Sequence, residues 1–223
     1  MALILSLETA TTNCSVALSN NGKTIAIKED NDKGYSHAER LHVYIDAVLK
    51  EAGVNANDLD AIAVSKGPGS YTGLRIGVSA AKGLSYALEK PLISIPTLEA
   101  LSQQVKNDDG VIVSMLDARR MEVYSAIYSS NHNEIRETKA QILDKTSFTS
   151  YLNQGKVYFI GNGVEKTKTL INNLNAIFIE GKLPSANELG LLAFNKYKIS
   201  DFEDVAYFEP YYLKDFVALK PKS

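Results

Sequence analysis

Hydrophobic and polar positions along this chain follow two periods. Short apolar runs bounded by turn residues mark strands over 3–7, 14–18 and 23–28, and Asn20-Asn21-Gly22 between the last two signals a tight hairpin. Leu41, Ile45, Val48 and Ala52 then recur at helical spacing, predicting a helix over 36–52 that Gly53 stops. A strand over 61–64, a long helix over 71–88, a strand over 92–95 and a helix opened by Pro96-Thr97 and running to 105 complete a first half. Asn107-Asp108-Asp109-Gly110 is a loop and the best domain boundary.

The second half repeats the plan. A strand over 111–116 ends in Asp117, as the first strand ends in Glu8. Strands follow over 122–128 and 134–143, then a short helix over 145–152, a strand over 156–160, the turn Gly161-Asn162-Gly163 and a helix to 174. A strand over 176–179 and a helix over 185–197 close it. Two openings of strand, acid, turn, strand, turn and strand imply a duplicated α/β domain, whose ligands would lie in the cleft between halves.

The segment from Gly67 to Val78 carries the densest information. Gly67-Pro68-Gly69-Ser70 joins a strand to a helix that Ser70 or Thr72 can cap. Strand, glycine loop and helix N-terminus together make an anion site or simply a tight turn. Neither common nucleotide fingerprint fits: Thr72-Gly73-Leu74 stands where a phosphate loop needs Gly-Lys-Ser/Thr, and Thr72 where a dinucleotide loop needs glycine. The helix itself holds Gly73, Gly77 and Gly83. Each costs about 1 kcal/mol relative to alanine, so the helix needs a compensating contact. Gly73, Gly77, Ala80 and Ala81 share a nearly flat face. Close packing within the chain and docking of another protein would both use it.

Composition narrows the chemistry. The chain has 223 residues, 45% hydrophobic and 22% charged, enough for a proper core in one or two domains. A net charge of −2 argues against strong autonomous binding to nucleic acid. The lone Cys14 excludes disulfides and zinc clusters within one chain and reads as a buried, inert thiol. The apolar start, 2–7, has no basic region before it and reads as a strand rather than a signal peptide, so a cytoplasmic protein is expected. His37 and His42 are five apart, which turns them away from each other on a helix, and no metal ligand set is visible. Glu8 and Asp117 could hold a magnesium ion or a water near a nucleotide; Asp117, before Ala118-Arg119, reads better as a turn acid bonding backbone N–H groups. No nucleophile elbow is present. The scaffold looks like a nucleotide-binding one without its catalytic equipment.

Four segments resemble the TsaB family, also called YeaZ. They are Leu5-Ser6-Leu7-Glu8-Thr9-Ala10-Thr11 with Cys14-Ser15-Val16-Ala17-Leu18, the run from Gly67 to Gly83, Leu116-Asp117-Ala118-Arg119 with Glu122-Val123-Tyr124, and Glu209-Pro210-Tyr211-Tyr212-Leu213. The resemblance implies an α/β fold of the ASKHA (actin-like ATPase, Hsp70-like) type, two related lobes with mixed sheets flanked by helices. The lobes would be 1–106, carrying the partner-binding helices, and 107–223, with a final segment able to pack back on the first. It implies a non-catalytic scaffold and activator in the bacterial machinery that makes N6-threonylcarbamoyladenosine (t6A) at position 37 of tRNA. The implied partners are a catalytic paralogue, TsaD, with a His-x-x-x-His metal motif, and an ATPase, TsaE; tRNA is reached only through the complex. The kinase-like members of the fold usually have Asp and a glycine in the first hairpin, whereas this chain has Glu8 and no glycine before Asn13. No cofactor bound by the chain alone is therefore expected, with ATP or ADP only inside the complex. The other readings are a stand-alone ATPase or small-molecule kinase and, disfavoured by the missing ligands, a peptidase.

Two sets of residues follow as candidate sites. Leu41, Tyr44, Ile45 and Val48 of one helix and Gly73, Gly77, Ala80, Ala81 and Leu84 of the next are expected to form a flat platform for the paralogue, or for a second copy in its absence. Glu8, Thr9, Gly67, Gly69 and Ser70 are the candidate nucleotide-facing loops.

Overall fold

A computed structural model of the chain describes residues 1–31, 37–106 and 109–214. Ser36 at the head of the first expected helix, Asn107 and Asp108 of the boundary loop, and 215–223 of the second half lie outside the described residues. The first half forms a five-stranded sheet from β1 (Leu3–Glu8), β2 (Cys14–Asn20), β3 (Lys23–Asp30), β4 (Ala61–Gly67) and β5 (Leu92–Pro96), in the order β3-β2-β1-β4-β5. β1 is central and every one of its residues is buried, which explains why its apolar residues run on both faces and do not alternate with exposed polar ones. It pairs antiparallel with β2 and parallel with β4, so Ile4 faces Ser19 on one side and Ala61 on the other. The parallel crossovers carry α1 (His37–Ala52) and α2 (Tyr71–Leu88), which cover one face of the sheet.

The second sheet contains β6 (Val111–Asp117), β7 (Glu122–Ser129), β8 (Glu134–Ile142), β9 (Val157–Ile160) and β10 (Ala176–Ile179). Its order, β10-β9-β6-β7-β8, is the first sheet's order read from the other edge. The directions match too: β6 is antiparallel to β7 and parallel to β9. The duplication is therefore real at the level of topology. Its connecting helices are short: α4 is Thr149–Leu152 and α5 is Val164–Lys168, where longer ones were expected over 145–152 and up to 174. Before α4, Asp144 accepts hydrogen bonds from the backbone and hydroxyl of Thr146, a local turn that competes with helix.

The last helix of each half crosses over. α3 (Thr97–Ser102) falls in the stretch 1–106, yet its Leu98 and Leu101 pack with Ile112, Leu116 and Tyr128 of the second sheet. α6 (Ala186–Lys198) comes from the second half and packs Ala186, Leu189 and Ala193 on Ile4, Ala17 and Ile93 of the first sheet. Polar contacts hold this crossing: the Asn13 side-chain amide donates to Pro184 O at 2.9 Å, and Ser185 Oγ donates to Glu29 Oε2 at 2.7 Å. After α6 the chain returns along the first sheet. Glu203 N donates to Leu92 O (2.8 Å), Lys82 Nζ to Phe208 O (2.8 Å) and Tyr211 N to Lys66 O (2.7 Å). Lys214 then pairs with Glu122 at the start of β7, so the segment ties the first sheet to the second. No helix among the described residues is long and apolar enough to cross a membrane.

Candidate functional site

The β1–β2 hairpin and the β4–α2 loop meet at the C-terminal ends of the central strands, where ligands sit in open α/β sheets. Here they meet each other. Thr9 Oγ1 donates to Gly73 O at 2.7 Å, and Ser70 N donates to Ala10 O at 2.7 Å. A methyl group at Gly73 would collide with the carbonyl oxygen of Thr9, and one at Gly77 with Thr9 Oγ1. One at Gly69 would stand 2.5 Å from Ala10 O, and one at Gly67 2.7 Å from Tyr211 O. The glycines of the signature thus let the hairpin lie directly on the loop and on the first turns of α2. Ser70 caps the helix, accepting from Gly73 N at 3.3 Å.

Glu8 lies beneath this contact and is fully buried. Its Oε1 accepts from Ala10 N at 2.6 Å, while Oε2 has no partner in hydrogen-bonding geometry among the described residues. Burial pushes the carboxyl up to about 7, against the opposing pull of the Ala10 N–H and the neighbouring Ser65 hydroxyl. Ser65 Oγ is 2.6 Å from Thr97 Oγ1, which also accepts from Gly67 N at 3.1 Å. Glu8, Thr9, Gly67, Gly69 and Ser70, expected to face a nucleotide, are instead engaged by the hairpin, α2 and the returning C-terminal segment. The lack of a side chain at 69, 73 and 77 is what allows this close approach.

Asp117 occupies the equivalent place in the second sheet. Its Oδ1 accepts from Arg119 N at 2.6 Å and pairs with Lys166 Nζ at 3.0 Å, the behaviour of a turn acid. His37 is buried with Nε2 2.6 Å from Thr11 O, and His42 is exposed. Among the described residues no three His, Cys, Asp or Glu side chains are grouped to hold a metal. Cys14 is buried and its thiol is pushed up to about 11 by burial.

The expected docking platform needs correction. Leu41, Ile45, Val48 and Ala81 are buried in the core under the first sheet, and Gly73 and Gly77 are spent on Thr9. The spacing that puts these residues on one face is the spacing of the inward face. Tyr44, Ala80 and Leu84 remain half-buried at the edge of that core, joined by Ile76. Gly83 lies in line with them along α2, and among the described residues nothing stands within 4 Å of where its side chain would be. Ile76 and Gly83 lie beside these residues on α2 but outside the expected set. The signal was available, since 76, 80, 83, 84 and 87 recur at helical spacing. Gly77→Leu would strike Thr9, so it tests folding and not docking.

Two mirrored sheets, an acid at the end of each central strand and crossed terminal helices define an ASKHA-type, actin-like two-lobed protein. A family model described as "TsaD: tRNA N6-adenosine threonylcarbamoyltransferase" matches residues 32–222. The tRNA threonylcarbamoyladenosine biosynthesis protein TsaB of Escherichia coli is 32% identical over 226 residues, covering 97% of this chain and 96% of that protein. The TsaB of Bacillus subtilis is 36% identical over 130 residues, 56% of this chain and 54% of that protein. Among solved structures, YeaZ from Pseudomonas aeruginosa superposes with a TM-score of 0.80 at 27% identity, covering 96% of this chain and 100% of that one. The chain belongs to the TsaB (YeaZ) family.

Proposed function

We propose that this chain is the scaffold and activator subunit of the machinery that installs threonylcarbamoyladenosine at position 37 of tRNA. In this role it binds and activates a TsaD-type catalytic paralogue, and a TsaE-type ATPase joins the pair. ATP or ADP is held only in the assembled complex, and the chain itself performs no chemistry. Without the paralogue the same face pairs two copies. Support comes from the relatives' role in this biosynthesis and from the hairpin seated on the glycine loop at the strand ends, where ligands of open α/β sheets usually lie.

The observation that carries the docking face is Gly83. It costs about 1 kcal/mol of helix stability and, unlike Gly73 and Gly77, has nothing within 4 Å of its would-be side chain among the described residues to account for it. Beside it along α2, Ile76, Ala80 and Leu84 form a half-buried apolar seam. A flat, backbone-lined seam admits a second helix at close range.

Gly83→Arg is expected to fold with stability equal to or above wild type, because arginine is the better helix former by about 0.8 kcal/mol. It should nonetheless fail to capture the TsaD-type paralogue from lysate, run as a monomer, and fail to restore tRNA modification in a strain lacking the endogenous subunit. Paralogue capture by Gly83→Arg at wild-type affinity would sink the seam as the docking face. Failure of wild type to capture the paralogue would sink the scaffold role.

A further inference from the structure

The chain has five arginines. Arg40 pairs with Asp30, and Arg136 donates to Ser125 Oγ at 2.6 Å and Gln141 Oε1 at 3.0 Å. For Arg75, Arg119 and Arg120, no guanidinium makes an ion pair or hydrogen bond among the described residues, and all three residues are exposed. They gather at one end of the molecule. Arg119 and Arg120 form the β6–β7 turn, two consecutive residues with left-handed backbone (φ 70° and 47°), a conformation L-residues rarely adopt. Ala118 N donates to Glu122 O at 3.0 Å, and Lys166 Nζ to Arg120 O at 2.7 Å, holding the turn in that shape. Arg75 lies over the Tyr71 ring at 5.1 Å, and Tyr71 stands 4.8 Å from Tyr212. Two residues on, Lys214 pairs with Glu122 and brings this aromatic group beside the arginine turn. Of the carboxylates here, Asp117 is engaged by Lys166 and Glu122 by Lys214. Glu209 lies near Tyr212.

We infer that this rim is a contact surface for single-stranded or looped RNA, with Arg75, Arg119 and Arg120 on phosphates and the Tyr71–Tyr212 pair offering a ring for a base. Guanidinium groups match phosphate oxygens in a bidentate fork, and tyrosine rings stack on any base. Met121 and Ile142 are exposed beside the arginine turn, so a protein partner is the competing occupant that the test separates from RNA, while the three guanidinium groups favour phosphate. The net charge of −2 makes the contact local, weak and salt-sensitive, so it orients an RNA that other subunits hold. The inference rests on the proposed role for the identity of that RNA, a tRNA, and not for the existence of the surface.

The test uses the full chain alone and a labelled RNA stem-loop carrying an anticodon sequence. At ~20 mM salt wild type is expected to bind weakly and to lose binding by ~150 mM. Arg75→Gln, Arg119→Gln and Arg120→Gln together should weaken binding roughly 30-fold and reduce the slope of log affinity against log salt by about 2, as three lost phosphate contacts require. Tyr212→Leu should weaken it about tenfold and leave the slope unchanged. Unchanged affinity and slope in the triple variant, or no binding by wild type at ~20 mM salt, overturns the inference. Capture of the TsaD-type paralogue is measured on the same proteins. A triple variant that keeps RNA and loses the paralogue assigns the rim to a protein partner and overturns the inference. A wild type that binds RNA without capturing the paralogue leaves the surface standing and sinks the scaffold role instead.

Discussion

Replacing Gly73 by alanine is expected to destabilise this protein by about 3 kcal/mol, a large fraction of the stability of a domain of this kind. The added methyl group meets a backbone carbonyl, that of Thr9, and a backbone atom moves far less readily than the end of a side chain. Relief requires the β1–β2 hairpin to lift from α2. That breaks the Thr9 Oγ1 to Gly73 O hydrogen bond and strips the cover from buried Glu8. Gly83→Ala is the internal control. It makes the same substitution in the same helix, but into open space, and is expected to stabilise by about 1 kcal/mol. Denaturant midpoints of the two variants should move in opposite directions. Equal shifts would show that the hairpin is not clamped by the helix.

The second large effect is a dependence on pH that belongs to Glu8. Its carboxyl sits at about 7 in the folded chain, against an ordinary value of 4.5, chiefly because burial disfavours the charged form. Between these values the folded state keeps a proton that the unfolded state has released. Stability is therefore highest, as far as this group is concerned, below pH 4.5, and it falls as pH rises through 7, by up to about 3 kcal/mol in all. Glu8→Gln retains an oxygen to accept from Ala10 N and has no charge to bury. It should flatten the curve and be the more stable protein at pH 8. Denaturation of both proteins between pH 5 and 8 checks this, and parallel curves would remove Glu8 as the source.

Most elements were readable because they are local. β10 and α2 run over the residues their patterns predict, and β1 differs by one residue at its end. The repeated opening of each half also foretold a duplicated α/β domain, and the structure shows that its two sheets share a strand order. The short helices of the second half were overextended, since the Asp144 turn is a side-chain interaction that apolar periodicity does not register. The crossing of α3 and α6 was not legible either. An amphipathic helix states that one of its faces must be buried, but not which sheet will bury it.

The glycines of α2 mark this boundary most clearly. Their cost to the helix is intrinsic to the residue, so a chain met as letters alone already demands a close contact at 73, 77 and 83. Which contact answers the demand depends on atoms remote in sequence: Thr9, 64 residues from Gly73, takes two of the three positions and leaves Gly83 open. The same holds for Glu8. Its chemistry is plain from its type and its place at a strand end, while its charge state near neutrality follows from the hairpin, β4 and α6 closing around it. Local propensity chose the elements, and only long-range packing decided which polar groups lost water and which small residues faced an empty surface.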